Sequence, residues 1–537
     1  MLKTSRTPRL TGASQPSARP SSAAAASVAL PSALLCLATL LTGCMVGPKY
    51  HPPTPLPATA PTTPAAYKEA PAAPAPADQR TADAGEWKVA QPQDAMLRGK
   101  WWEIFQDPEL NALEDKLNID NQTLKQYFEN FMAARAIVQE ARAALYPTLG
   151  TNSTYTRSKS SGNLGNAITG SAAGQQASLG ALPLTASWAP DLWGKIRNTI
   201  RSDQYSSQVS AADLEAERLT EQASLAEFFF EIRAQDSLIR VLTDTVAADQ
   251  KALDLTRTLY ETGVDDQISV VQAETTLQSA QAALTSTGVA RAQYEHAIAT
   301  LIGTDASTFS MPVRPSTPGA PPIPIGVPSQ LLERRPDVAA AERTMAAANA
   351  QIGIAYAAYY PSLTLSATGG FEASTFSNLF NWPSRFWSIG PSVSETFYDG
   401  GLRRATIHQY IATYNADLAS YRQTVLTAFQ QVEDYLAGVR ILTREIEQEQ
   451  QAVASAQQYV TLATSRYETG VDPYLNVITA QSTLLVDQQT LVSAQMQQMV
   501  QAVELVQALG GGWDRTDLPT PKQVSQKPTA AETTIQK

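Results

Sequence analysis

The chain has 537 residues, 43% of them hydrophobic, and a formal charge of −10. An acidic balance of this size argues against a nucleic-acid partner, which requires a basic face. Its two cysteines, Cys36 and Cys44, both lie near the N-terminus, so neither a disulfide framework nor thiol chemistry serves the body of the chain.

Residues 1–43 read as an address. Lys3, Arg6, Arg9 and Arg19 precede or flank an apolar stretch running from Ala23 to Leu41, the pattern of a secretory signal rather than a membrane span. The stretch ends in Leu41-Thr42-Gly43-Cys44, which resembles a bacterial lipobox and implies cleavage before Cys44 and acylation of that cysteine. An ordinary signal peptide with a chance cysteine is the other reading. Met45 rather than aspartate follows, which in such lipoproteins favours the outer membrane. Ten prolines stand among alanines and threonines between Pro48 and Pro76. Residues 44–97 are therefore expected to run as an extended, lipid-anchored tether. Beyond the signal no apolar run approaches the ~20 residues of a membrane helix, so any spanning part must be a β-barrel.

The rest of the chain is a duplication. Tyr260-Glu261-Thr262-Gly263-Val264-Asp265 recurs as Tyr467-Glu468-Thr469-Gly470-Val471-Asp472, 207 residues on, and Ile302-Gly303 returns as Leu509-Gly510. A repeat this long is a duplicated structural unit, because solenoid modules run to roughly 20 to 50 residues. Repeat 1 is placed at 98–303 and repeat 2 at 331–512. A proline-rich linker, 304–330, separates them, and residues 513–537 are polar, aperiodic and expected to be disordered.

Each repeat reads as a helix, two short strands, a very long helix, a glycine turn and a returning helix, so the fold is mainly α with a small β part. Between Lys195 and Thr262 there is neither glycine nor proline, and Leu402 to Thr469 contains only Gly438. At ~1.5 Å per residue each run makes a helix of roughly 100 Å. Leu225, Ile232, Ile239, Val246, Leu253 and Tyr260 fall seven apart, as do Val432, Val439, Ile446, Val453, Val460 and Tyr467; such a seam signals a coiled coil. The returning helices carry small seam residues, Ala273, Leu277, Ala280, Leu284 and Thr287. A filament or a cytoplasmic coiled coil shares these features, so the helices alone do not decide function.

The strands say more. Leu182, Leu184, Ala186 and Trp188 share one face opposite Pro183, Thr185 and Ser187, and Leu363, Leu365 and Ala367 alternate with Thr364, Ser366 and Thr368. Trp387, Ile389, Val393 and Phe397 follow the same rule, interrupted by Pro391 and Glu395. Segments apolar on one side and small-polar on the other suit a transmembrane barrel with a wet lumen, although a sandwich alternates as well. Two hairpins give four strands, too few to close a barrel. If they span a membrane, several copies must share one, because lipid does not tolerate open sheet edges.

Leu332-Glu333-Arg334-Arg335-Pro336-Asp337-Val338, then Ala347-Ala348-Asn349-Ala350-Gln351-Ile352-Gly353 and Tyr360-Pro361, together with Cys44-Met45-Val46-Gly47-Pro48-Lys49-Tyr50 and the paired glycine turns, resemble the TolC/OprM-type outer-membrane factors, in their NodT-like lipoprotein branch. The match spans roughly residues 98 to 512. The resemblance implies a homotrimer whose chains give four strands each to a twelve-stranded β-barrel, on a long periplasmic α-helical barrel. It places Gly263 and Gly470 at the periplasmic tips, where a glycine suits a turn needing positive φ. Tyr260, Gly263, Val264, Gly470 and Val471 become the contact surface for a periplasmic adaptor protein. The family's constriction maps onto Tyr467 and Leu475, while Asn476 and Thr479 stand where other members often carry aspartates. That departure puts an acidic cation-binding ring in doubt. Tyr467 also ends a heptad series, so seam packing is its other reading.

The resemblance implies no cofactor, no metal and no catalytic group. An enzyme is the main alternative class, but the only histidines of the mature chain are His51, His296 and His408, in no spacing suited to a metal, and no phosphate loop occurs. A structural lipoprotein has no need of a lumen. The reading is thus a passive exit channel of a tripartite efflux system, driven by an inner-membrane pump through the adaptor; the alternative is the outer-membrane channel of a protein secretion system.

Overall fold

The computed structural model describes residues 45–56, 67–69, 99–161, 176–316, 319–324 and 328–527. The expected signal, the expected acylation site at Cys44 and most of the expected tether lie outside these. After a short turn of 3-10 helix at Trp101–Phe105 come α1 (Pro108–Asp120) and α2 (Gln122–Ala143), then strands β1 (Thr148–Thr151), β2 (Thr154–Lys159) and β3 (Gln176–Trp188), and helices α3 (Lys195–Glu261) and α4 (Gln267–Leu301). The second repeat follows with α5 (Pro328–Arg334), α6 (Pro336–Ala357), β4 (Ser362–Ala373), β5 (Arg385–Ser394), α7 (Leu402–Glu468) and α8 (Tyr474–Ala508), and a last turn, α9 (Pro521–Val524), ends the described chain. The long helices α3 and α7 have 67 residues each, and the returning helices α4 and α8 have 35 each. Equal lengths at equivalent positions are what a duplication that kept its heptad register produces.

The chain divides into two units, one built on the strands and one on the helices. In the strand unit all pairings are antiparallel, in the order β1, β3, β4, β5, with β2 also on β3. Residues 152–153 interrupt the first strand, so five segments occupy the four expected strand positions. The register aligns chemistry across the sheet. Leu149, Ala186, Ala367 and Ile389 form one row, and Thr151, Leu184, Gly369 and Trp387 another on the same face. The rows between them, on the opposite face, are small or polar: Gly150, Thr185, Thr368 and Ser388, then Thr148, Ser187, Ser366 and Gly390. Among the described residues β1 and β2 pair only with β3, and β5 only with β4, which leaves both edges open.

In the helical unit, Trp101, Leu110, Leu117, Leu225, Phe229, Ile232, Ile298 and Val506 form one core, and Tyr67, Met345, Val425, Val432 and Leu505 a second. The Arg-Arg-Pro-Asp segment serves this packing. Pro336 opens α6, where its missing N–H costs nothing. Arg335 forks onto Asp337 at 2.9 and 2.6 Å and donates to Gln431 (2.8 Å) and to the Ala508 carbonyl at the end of α8 (3.2 Å).

Three segments read as loose from sequence are held by side chains. In the linker, Asp236 accepts from the Arg314 amide (2.8 Å) and pairs with Arg291 and Arg233, while Arg233 also donates to the Pro312 carbonyl (3.0 Å). In the tether, Tyr67 is buried and Glu433 accepts the Lys68 and Glu69 amides at 2.8 and 3.0 Å. The expected disorder of residues 513–537 is corrected as far as Lys527. Gln208 donates to the Pro519 carbonyl (2.7 Å), Arg142 to that of Ser525 (2.9 Å), and Val524 is buried. Polar composition misled there because the partners lie on α2 and α3, hundreds of residues away.

Candidate functional site

The glycine turns close the two hairpins in the same way. Gly263 donates its N–H to the Tyr260 carbonyl and Val264 to that of Leu259, both at 2.9 Å; Gly470 and Val471 do likewise to Tyr467 and Arg466. These are Schellman caps, with the glycine in the left-handed region at φ +73° and +70°. A Cβ on either would meet no atom within 4 Å, so the backbone angle alone selects glycine. Past the turns the copies diverge. Asp266 caps α4 by accepting from the Ser269 amide (3.1 Å), whereas Pro473 stands at the start of α8 with no side-chain cap.

The two hairpins meet in a third core of Leu253, Ala273, Leu277, Ala463, Tyr467, Tyr474, Val477 and Ala480. Tyr467 reaches across it. Its hydroxyl donates to Asp265 Oδ2 at 2.6 Å and lies 3.2 Å from Thr256 Oγ1, and its ring packs against Tyr474 with centroids 5.2 Å apart. Burial, then the bond to Asp265, push the phenol up. Burial works to raise the Asp265 carboxyl, but hydrogen bonds from Tyr467, the Asp266 amide and Ser269 outweigh it and hold the group below its ordinary value. In the other turn Asp472 takes Arg466 instead, at 2.6 and 3.0 Å, and that hydrogen bond leads the causes that lower its carboxyl.

The residues singled out from sequence thus separate. Tyr467 is buried in the junction. Leu475 is 57% exposed, and Thr479, also exposed, donates its hydroxyl back to the Leu475 carbonyl. Asn476 stands beside Asp472, whose carboxyl it helps to lower. Tyr260, Val264 and Val471 are exposed at the turns, with Ile268 and Val271 beside the first. Asp265, Thr256 and Tyr474 were missed, although Asp265 belongs to the repeated motif and Tyr474 is the first aromatic after the second turn.

The sequence matches the family model described as outer membrane efflux protein over residues 113–304 and 327–511, more than half of the chain. It belongs to the outer membrane efflux protein family. Two relatives are the solvent efflux pump outer membrane protein SrpC of Pseudomonas putida, 32% identical over 82% of this chain and 94% of that protein, and outer membrane protein OprJ of Pseudomonas aeruginosa, 32% identical over 83% and 92%. Among solved structures the outer-membrane channel OprN has a TM-score of 0.74 at 27% identity, covering 88% of this chain and all of that one. The outer membrane protein VceC of Vibrio cholerae has a TM-score of 0.70 at 27% identity, covering 77% and 99%. This outer membrane efflux protein is therefore an efflux component of the outer membrane, in a family of channels rather than enzymes. The two stretches matched fall on the two repeats. Among its described residues no His, Cys, Asp and Glu gather in a metal-binding group, and no helix is long and apolar enough to cross a membrane.

Proposed function

We propose that this efflux protein is the exit channel of a tripartite efflux system: a passive homotrimer that carries small toxic compounds outward, driven by an inner-membrane pump through a periplasmic adaptor. The observation that carries the reading is the sheet, with apolar rows on one face, small polar rows on the other, and two open edges. A twelve-residue strand such as β4 extends about 40 Å, enough to cross a hydrocarbon core of ~30 Å when tilted. Exposed aromatics flank the sheet at both ends, Trp382 and Phe380 at the β4–β5 turn and Tyr146 and Phe397 at the other, as in the interfacial girdles of membrane barrels. In lipid the open edges must pair, and three copies of four strands close a twelve-stranded barrel.

In this reading the protein is anchored to the outer membrane through acylated Cys44. The turns lie in the periplasm, where Tyr260, Gly263, Val264, Gly470 and Val471 contact the adaptor; their exposed apolar side chains support that role. Tyr467, Leu475, Asn476 and Thr479 form the gate, Tyr467 by latching one hairpin to the other. With neutral residues at 476 and 479, a polar and apolar constriction replaces an acidic ring. Deletion of the gene is expected to sensitise cells to small toxic compounds while the set of secreted proteins stays unchanged. Loss of secreted proteins with unchanged sensitivity would establish the secretion alternative instead.

A further inference from the structure

One stripe of α3, Val246, Asp249, Leu253 and Thr256, runs at alternating spacings of three and four along the junction between the hairpins. Val246 and Leu253 belong to its apolar core, and Thr256 meets Tyr467. Asp249 is the anomaly. It is 2% exposed, and neither carboxylate oxygen has a hydrogen-bond partner. The equivalent residue in the second repeat, 207 positions on, is Ala456, which is also buried. The seam therefore packs without an acid at this position in one copy and carries an unpaired one in the other. A buried carboxylate with no partner is strongly disfavoured when charged.

We propose that Asp249 is a proton-sensing gate residue: with its carboxyl neutral the two hairpins pack shut, and with it charged their junction loosens. This deepens the gate reading above and rests on it. Among the described residues none hydrogen-bonds to the Asp249 carboxylate. Tyr474 of α8 feels the Asp249 charge, and its phenol is pushed up to about 12, by burial first and then by that carboxylate. On α4 the nearest acid along the hairpin, Glu274, is taken by Arg257 at 2.6 Å, and on α7 Tyr467 is taken by Asp265. Burial alone pushes the Asp249 carboxyl up to about 6. The packed junction thus binds a proton that the opened, hydrated one releases near the ordinary carboxylate value of ~3.9. Its packing is fully favoured below that lower value and loses this contribution as pH rises through about 6. Between pH 5 and pH 7.5 linkage gives a shift of about tenfold per chain in the closed-to-open ratio.

The test uses the full-length protein and its Asp249→Asn and Asp249→Ala variants, the second copying the residue that the other repeat carries at 456. Backbone amide exchange around both turns is compared between variant and wild type at each pH. A variant-to-wild-type protection ratio about tenfold larger at pH 7.5 than at pH 5 supports the proposal; a ratio that does not change with pH overturns it. Conductance of the same proteins in planar bilayers separates the two readings. A wild type that never conducts, even with Tyr467→Phe, removes the channel reading. A channel whose closure on acidification survives in both variants removes the role of Asp249.

Discussion

Tyr260 and Tyr467 occupy the same place in a repeated hexapeptide and behave differently. Tyr260 is 45% exposed, whereas Tyr467 is buried and donates to Asp265 of the other hairpin. The five residues that follow each are the same, so that shared motif does not encode the difference, which comes from the neighbour that the surrounding helices bring up. Seam packing, which the structure shows for Tyr467, is compatible with the proposed gating, since a latch at the end of a heptad seam is also part of the seam. A hydrogen bond to a charged acceptor contributes about 1.5–3 kcal/mol. Tyr467→Phe keeps the ring against Tyr474 and removes the bond to Asp265 along with the weaker contact to Thr256, so reconstituted channels are expected to open roughly ten- to a hundredfold more readily. Unchanged bilayer conductance would sink the latch. Because Asp265 is held below its ordinary value, the bond persists at all pH above ~4 and weakens only as pH falls through the carboxylate range. That sign is opposite to the one proposed for Asp249, and the two windows are separate.

At the scale of elements, much was legible because helix length is a local property. Long runs almost free of glycine and proline set α3 and α7, and the repeated glycine marked where each stops. The divergent helix starts after the turns, Asp266 capping α4 where Pro473 stands at the start of α8, went unread in the sequence. The tail, the linker and the tether were not legible, since Val524, Met311 and Tyr67 are ordered by partners far away in sequence. The Arg-Arg-Pro-Asp motif identified the family yet serves packing at the end of α8. The glycines separate by mechanism. At Gly470 a side chain has room but the wrong backbone angle, so Gly470→Ala is expected to cost about 1 kcal/mol, felt mainly as faster amide exchange at that turn. Gly510 shares the left-handed angle, at φ +97°, but a Cβ there would land on the Arg334 carbonyl. Gly510→Ala is expected to lower the thermal midpoint of the whole protein well beyond the Gly470 variant. Equal midpoints for the two would refute the steric account.

For the whole molecule the sheet sets the terms. Its alternation was readable strand by strand, but the cross-strand rows exist only once register is fixed, and they convert a pattern also compatible with a sandwich into two chemically distinct faces. Ile389 and Ser388 are neighbours in β5 and point to opposite faces, Ile389 in the row with Leu149, Ala186 and Ala367, Ser388 with Gly150, Thr185 and Thr368. If lipid covers the first face and water the second, one charge placed at each position must have unequal effects. A lysine on the lipid side near the bilayer centre costs about 2–4 kcal/mol per chain, and a trimer bears that three times. Ile389→Lys is therefore expected to abolish trimers in the outer membrane, while Ser388→Lys leaves assembly intact and alters only conductance. A sandwich that packs the apolar face against protein would also reject Ile389→Lys, but as a folding defect in detergent as well as in membranes. The two accounts part when the variant is extracted and refolded: a trimer that forms in detergent yet fails to insert into bilayers identifies lipid as what covers Ile389.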